Sequence, residues 1–173
     1  MKEVAKLTKD VKDFPKKGIV FKDITPLLMN PKAMGKVVKK CVNHCKGMGI
    51  TKVVAMESRG FLFGVPVALG LKAGFVPIRK PGKLPRKTVR QTYSLEYGKD
   101  CLEMHADAIV PGDKVLVIDD VLATGGTANA VIKLVEKCGG KVATVVFVIE
   151  LVFLDGIKKL KGYNVKSLLK YHA

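Results

Sequence analysis

The sequence predicts an α/β fold: a central, mostly parallel sheet with helices on both faces, a small amino-terminal hood and a mobile β-hairpin loop. Three observations predict it. Short apolar runs that suit buried strands alternate with longer stretches that suit helices. The run Val115-Leu116-Val117-Ile118 is apolar at every position rather than at every second one, as a strand covered on both faces requires. The chain has 173 residues, 48% of them hydrophobic, which is enough for one good core and too little for a second full domain. The expected unit is therefore residues 1–173, with about residues 1–30 as the hood segment and about residues 80–107 as the flexible loop.

Taken in order, residues 3–11 read as a short amphipathic segment that leads into a loop over residues 14–26. Pro31 opens a helical stretch reaching residue 46, because its fixed φ suits a first turn, and Gly47 and Gly49 end it. Residues 52–56 form a buried strand, residues 60–72 a packed helix, and Gly74-Phe75-Val76-Pro77-Ile78 the next short strand. Within the polar stretch that follows, alternation over residues 88–97 and 101–104 predicts a hairpin with Gly98-Lys99 at its turn. A loop of that length in a compact domain is often functional. Pro111-Gly112-Asp113 marks a turn before the apolar strand, residues 128–138 form its helix, and residues 141–149 another buried strand. No internal repeat or low-complexity tract interrupts the pattern.

Composition narrows the class. No run of eighteen apolar residues occurs, and the start Met1-Lys2-Glu3-Val4-Ala5-Lys6 lacks an apolar signal core, so a soluble cytoplasmic protein with no membrane partner is expected. Cys41, Cys45, Cys101 and Cys138 fit reduced thiols in that compartment. Cys41, His44 and Cys45 share a helix face, but zinc wants four ligands and no second pair sits at matching spacing, so they read as core residues. The net charge of +16 attracts anions, both phosphate-rich substrates and nucleic acid. The lysines are scattered, with modest runs at Lys36, Lys39, Lys40 and at Lys158, Lys159, Lys161, and lack the aromatic interleaving of single-strand binders. Nucleic acid is therefore expected only as a non-specific partner.

The chemistry concentrates where the apolar strand turns polar, at Asp119-Asp120-Val121-Leu122-Ala123-Thr124-Gly125-Gly126-Thr127. In open α/β sheets ligands bind at the carboxyl ends of strands. Two adjacent carboxylates accept hydrogen bonds from the vicinal hydroxyls of a ribose. The residues from Thr124 to Thr127 offer the opposite: backbone N–H groups in a tight turn, two hydroxyls, and the positive end of the following helix, a cradle for one monophosphate. The run lacks the Gly-Lys-Ser/Thr ending of a triphosphate loop and is not G-x-G-x-x-G. The plain alternative is an ordinary strand-to-helix connection capped by Thr127.

This segment resembles the 5-phosphoribosyl-1-pyrophosphate motif of the type I phosphoribosyltransferases, two acids and two apolar residues followed by a Thr-Gly-Gly-Thr loop. Other segments resemble the adenine-using members of that family. They are the hood segment containing Val20-Phe21-Lys22-Asp23, the loop Glu57-Ser58-Arg59-Gly60, the run Arg79-Lys80-Pro81-Gly82-Lys83, Tyr93-Ser94-Leu95-Glu96-Tyr97-Gly98, and the tail Glu150-Leu151-Val152-Phe153-Leu154-Asp155-Gly156. Together they span nearly the whole chain.

The resemblance implies purine salvage: adenine joined to the phosphoribosyl donor, with Mg²⁺ as cofactor held mainly by substrate and water, and a homodimer. It implies that Asp119, Asp120, Ala123, Thr124, Gly125, Gly126 and Thr127 hold the ribose phosphate. Glu57, Ser58, Arg59, Arg79, Lys80 and Lys83 would hold pyrophosphate, with a non-proline cis peptide between Glu57 and Ser58 and with Arg79 reaching into a partner subunit's site. Glu96, Tyr97 and Arg59 would be catalytic, Glu96 moving the proton at the purine on a closing loop. Phe21 would stack on adenine between the backbone groups of Val20 and Lys22. Family members often carry Arg after the stacking Phe, so Lys22 removes a planar fork. Ala123 stands where enzymes using 6-oxopurines place an acid, which argues against hypoxanthine or guanine. Two other readings are a relative using xanthine or orotate, against which the hood segment speaks, and a regulatory nucleic-acid-binding protein, against which the retained Arg59, Lys83 and Glu96 speak.

Overall fold

The computed structural model describes residues 1–95 and 98–172. Its centre is a five-stranded sheet in the order β4-β3-β7-β8-β9, every neighbouring pair parallel. The strands are β3 (Lys52–Met56), β4 (Gly74–Ile78), β7 (Lys114–Leu122), β8 (Lys141–Leu151) and β9 (Val165–Tyr171). Val115, Leu116, Val117 and Ile118 of the middle strand are fully buried, as the unbroken apolar run requires when both faces are covered.

One face packs against α3 (Pro31–Cys45) and α4 (Arg59–Leu71), and the other against α5 (Gly126–Lys137) together with the hairpin of β5 (Thr88–Leu95) and β6 (Gly98–His105). In α3 the Asn30 side chain accepts the Ala33 N–H at 3.0 Å with Pro31 in the first turn. Its buried residues Ala33, Val37, Cys41 and Cys45 recur every fourth position, so one stripe meets the sheet. In α4 a side chain at Gly64 would stand 2.8 Å from both Ala55 and Phe75, so this glycine lets helix and sheet approach closely. Before these elements come α1 (Lys2–Lys6), a two-stranded antiparallel ribbon of β1 (Lys9–Lys12) and β2 (Val20–Asp23), and the single turn α2 (Thr25–Leu28).

Several sequence expectations are corrected. Residues 3–11 are not one amphipathic segment, since α1 ends at Lys6 and β1 then pairs with β2; nor is 14–26 wholly a loop. The ribbon forms by pairing across a long connection, which local periodicity does not show. Gly98 and Lys99 do not make the hairpin turn but lie in β6 opposite Leu95 and Ser94. Strand β7 continues past the acids to Leu122, because Val121 and Leu122 still pair with Ile149 and Glu150 of an equally extended β8. Helix α5 begins at Gly126 rather than 128, and its cap is Gly125 at φ 75°, not Thr127. Strand β9 has no periodicity that predicts it, and its mixed Val-Lys-Ser-Leu-Leu-Lys-Tyr composition suits an edge position. Cys41 and Cys45 are core thiols that burial pushes up to about 12 and about 11, and His44 Nε2 lies 3.1 Å from Thr144 Oγ1.

Candidate active site

The carboxyl edge of the sheet opens onto a cavity of about 440 Å³ lined by Phe21, Glu57, Ser58, Arg59, Lys80, Asp119, Asp120 and Thr127, with Met56, Tyr93 and Leu102 completing it. A second pocket of about 80 Å³ lies within the turn after β7, bounded by Ala123, Thr124, Gly125 and Gly126 and sharing Asp119 and Thr127 with the first. That exceeds the roughly 30 Å³ share of one water molecule. The fold thus gathers residues from distant parts of the chain at one place, a large chamber joined to an anion-sized cradle.

The turn's shape is set by a close approach. A Cβ on Gly125 would collide with the Gly156 carbonyl, and a Cβ on Gly156 would collide with the Ala123 carbonyl. The cradle is therefore braced from behind by the chain following β8. Gly156 carries no chemistry, and in the sequence it stands out only as the end of the tail segment that resembles the family, with no role attached.

Asp119 accepts the Asp120 N–H at 2.9 Å, and helix α4 presses on the same oxygen, since a side chain at Gly60 would come within 2.7 Å of it. Burial first, and repulsion from Asp120 second, push Asp119 well above the ordinary carboxylate range. Asp120 is also raised by burial, opposed by Arg59. The buried Asp120 Oδ2 makes no hydrogen bond, and Arg59 Nε lies 2.5 Å away as its ion partner. The Arg59 guanidinium also lies 4.7 Å from the centre of the Phe21 ring. The face expected to receive a base is thus covered by the residue expected to receive pyrophosphate.

The peptide between Glu57 and Ser58 is cis, as the resemblance implies. Glu57 gathers the second cationic group: Arg79 Nε donates to it at 2.6 Å, Lys83 Nζ at 3.0 Å and the Lys80 N–H at 3.2 Å. Burial works to raise its pKa, and these three contacts outweigh it and hold the carboxyl below its usual range. The Lys80 ammonium pairs instead with Asp100. Asp100 also accepts the Tyr93 hydroxyl at 3.0 Å, and the Thr127 hydroxyl donates to Tyr93 at 3.5 Å. Tyr93 and Asp100 face each other across the hairpin, so a cross-strand pair links the hairpin to the phosphate cradle. Neither was among the expected site residues, although strand alternation could have put them on one face.

Val20 flanks Phe21 on β2 and is exposed, whereas the Lys22 side chain is buried away from the chamber. Glu96 and Tyr97 lie outside the described residues. Among the described residues no group of three His, Cys, Asp or Glu side chains converges on a metal position, and no helix is long and apolar enough to cross a membrane.

Known proteins resemble this chain over nearly its whole length. The phosphoribosyl transferase domain family matches residues 24–167. The chain is 55% identical over 169 residues to an adenine phosphoribosyltransferase of Christiangramia forsetii, covering 98% of this chain and 99% of that one. The crystal structure of adenine phosphoribosyltransferase from Thermoanaerobacter pseudethanolicus superposes with a TM-score of 0.96 at 50% identity, covering 98% and 99% of the two chains. The Saccharomyces cerevisiae enzyme, complexed with an imino-altritol bisphosphate and adenine, gives 0.93 at 40% identity over 97% of each.

Proposed function

Because this chain belongs to the phosphoribosyltransferase family and works as an adenine phosphoribosyltransferase, we propose that its cavity residues divide the making of AMP and pyrophosphate from adenine and 5-phosphoribosyl-1-pyrophosphate into three tasks. The observation that carries the assignment is the position of Asp119, which borders the base chamber and the phosphate cradle at once, with Asp120 beside it in the chamber wall.

The first task is holding the ribose phosphate. Asp119 and Asp120 accept the ribose hydroxyls, while the turn from Ala123 through Thr124, Gly125 and Gly126 to Thr127 surrounds the 5-phosphate at the start of α5. The second is stabilising the leaving group. Breaking the anomeric bond leaves positive character on the ribose and adds negative charge to pyrophosphate, so fixed cations and donors lower the barrier. Arg59 and the backbone at Glu57 and Ser58 supply them, with Lys80, Lys83 and Arg79, the last directed to a partner subunit's site. The third is recognition of adenine by the Phe21 ring and the backbone of Val20 and Lys22. Proton transfer at the purine is assigned to Glu96, with Tyr97 beside it in sequence.

The donor set also fits Mg²⁺. Glu57, Asp119 and Asp120 present hard carboxylate oxygens around the chamber. Mg²⁺ would be held mainly by substrate and water, with Asp119, Asp120 or Glu57 supplying at most one or two further oxygens. Bound there, the ion would offset charge building on the departing pyrophosphate.

We also propose a homodimer. Leu62, Val65 and Leu69 recur on the outward face of α4, and Leu69 is 76% exposed, an apolar stripe that a second copy would cover. One domain spans the chain, the β1–β2 segment acting as hood and residues 80–107 as the catalytic loop. Free thiols at all four cysteines suit the cytoplasm.

The test is a steady-state assay with magnesium, the phosphoribosyl donor and, separately, adenine, hypoxanthine, guanine, xanthine and orotate. Nucleotide from adenine alone supports the reading. Product from another base overturns the adenine assignment, and no product from any base overturns catalysis and favours the regulatory alternative.

A further inference from the structure

Lys22 sits beside the base-facing Phe21, yet its side chain takes no part in the chamber. Successive side chains on a strand point to opposite faces, and β2 follows this rule: Phe21 lines the cavity while Lys22 is only 5% exposed on the other side. Its Nζ lies 2.7 Å from Asp10 Oδ1 on β1, directly across the ribbon, and 4.4 Å from the centre of the Tyr171 ring on β9. A buried ammonium persists only where other groups replace its hydration. Here a carboxylate and an aromatic face do so, one from each of the two bodies that Lys22 joins.

The ribbon needs such a tie. Two antiparallel strands are marginal by themselves, and all four residues of β1 are exposed, so the ribbon has no core of its own. Phe14 packs edge-on against Phe21 with ring centres 5.2 Å apart, but that contact stays within the hood. Tyr171, by contrast, belongs to the central sheet through its pairing with Leu151. The line from Asp10 through Lys22 to Tyr171 therefore references the position of Phe21 to the same sheet that carries Asp119 and Asp120.

We infer that Lys22 is a positioning residue for adenine: its buried ammonium, clamped between Asp10 and the Tyr171 ring, holds the β1–β2 ribbon so that Phe21 stands at a fixed height over the chamber. The inference rests on the adenine reading above and adds two residues, Asp10 and Tyr171, that do not touch the chamber. A role in base placement differs from general stability in what it changes. The base site lies under the ribbon, whereas the phosphate cradle is built by the β7–α5 turn and braced by Gly156.

The experiment is steady-state kinetics with each substrate varied in turn, alongside thermal melting, for the unaltered chain and for Lys22→Met, Lys22→Arg and Tyr171→Leu. Lys22→Met and Tyr171→Leu are expected to raise KM for adenine about tenfold, with KM for the phosphoribosyl donor changed by less than about twofold. Lys22→Arg keeps the charge and its aromatic partner and retains most of the adenine affinity. Equal changes in both KM values, or an unchanged adenine KM, would overturn the inference; so would loss of folding in Lys22→Met combined with unsplit KM values in Tyr171→Leu. An unaltered chain that turns over no adenine sinks the adenine reading itself and this inference with it, an outcome distinct from turnover with unsplit constants.

Discussion

Arg59 and Asp120 form an ion pair inside the chamber, Nε to Oδ2 at 2.5 Å, in a place where substrates would need both side chains. The same guanidinium covers the Phe21 ring at 4.7 Å. Pyrophosphate is a stronger partner for Arg59 than one carboxylate, so donor binding should draw the guanidinium away and uncover both Asp120 and the aromatic face. Adenine should then bind more tightly to the protein loaded with the phosphoribosyl donor than to the free protein. Arg59→Ala removes a charge-assisted contact of about 1.5–3 kcal/mol, so kcat/KM for the donor should fall roughly 10- to 100-fold. Adenine affinity for the free variant, read by calorimetry, should hold or improve; a parallel loss would show that Arg59 does not cover the base site.

The two carboxylates at the end of β7 carry a stability cost. Burial and the neighbouring charge raise Asp119, so the native state holds its proton to a higher pH than the unfolded chain does. Stability is then lost as pH rises from the ordinary Asp value, about 3.9, through the raised native value, and stays lost above it. Asp119→Asn keeps an acceptor for the Asp120 N–H and removes the charge. It should melt higher than the unaltered chain at pH 7, at roughly 2–4 °C per kcal/mol, with the gap closing toward pH 4 and with activity falling at least tenfold. Equal melting at pH 7 would contradict the burial argument.

The legible parts of the fold were those with local patterns. Val115 to Ile118 announced a doubly covered strand, and Pro31 with Gly47 and Gly49 bounded a helix that forms over Pro31–Cys45. Asp119, Asp120 and the Thr124–Thr127 residues could be placed at one ligand site because all hang from the end of one strand. What the sequence did not show depends on distant partners. Gly156 matters through backbone contacts with Ala123 and Gly125, and a glycine's lack of side chain signals nothing about what lies beside it. Tyr93 and Asp100 join the site only through the hairpin register, and β9 is a strand by virtue of its neighbour β8.

Glu57 shows the opposite pH sign from Asp119. Despite burial, its bonds to Arg79, Lys83 and the Lys80 N–H hold it below the usual range, so it contributes stability above its ordinary value of about 4.3. That stability is lost as pH falls through the lowered native value. The Arg79 and Lys83 side chains are 35% and 51% exposed, so solvent and salt screen the network and its worth is about 1 kcal/mol or less. Glu57→Gln should therefore melt up to roughly 2–4 °C lower at pH 7, a deficit that fades near pH 4 and shrinks in high salt. A deficit that persists at pH 3 would assign the loss to packing instead.

The exposed stripe on α4 predicts an assembly change without a change in fold. Leu69→Glu places a charge at the centre of an apolar contact if Leu62, Val65 and Leu69 meet a second copy. Light scattering should show a dimer for the unaltered chain and a monomer for the variant, while circular dichroism stays the same. A variant that remains dimeric would place the interface elsewhere.

The last prediction separates the cradle from the chamber. Gly156 touches no substrate position, yet a methyl group there would meet the Ala123 carbonyl, backbone that cannot rotate aside. The turn from Ala123 to Gly125 must then move, and with it the N–H groups facing the 80 Å³ pocket. A shift of about 1 Å in a positioned group can cost on the order of a hundredfold in rate. Gly156→Ala should therefore raise KM for the phosphoribosyl donor at least tenfold while leaving KM for adenine near its original value, the reverse of the pattern expected for Lys22→Met. If the two variants gave the same pattern, hood and cradle would be one cooperative unit. Opposite patterns would show that β2 and β9 place the base while the chain after β8 independently places the phosphate.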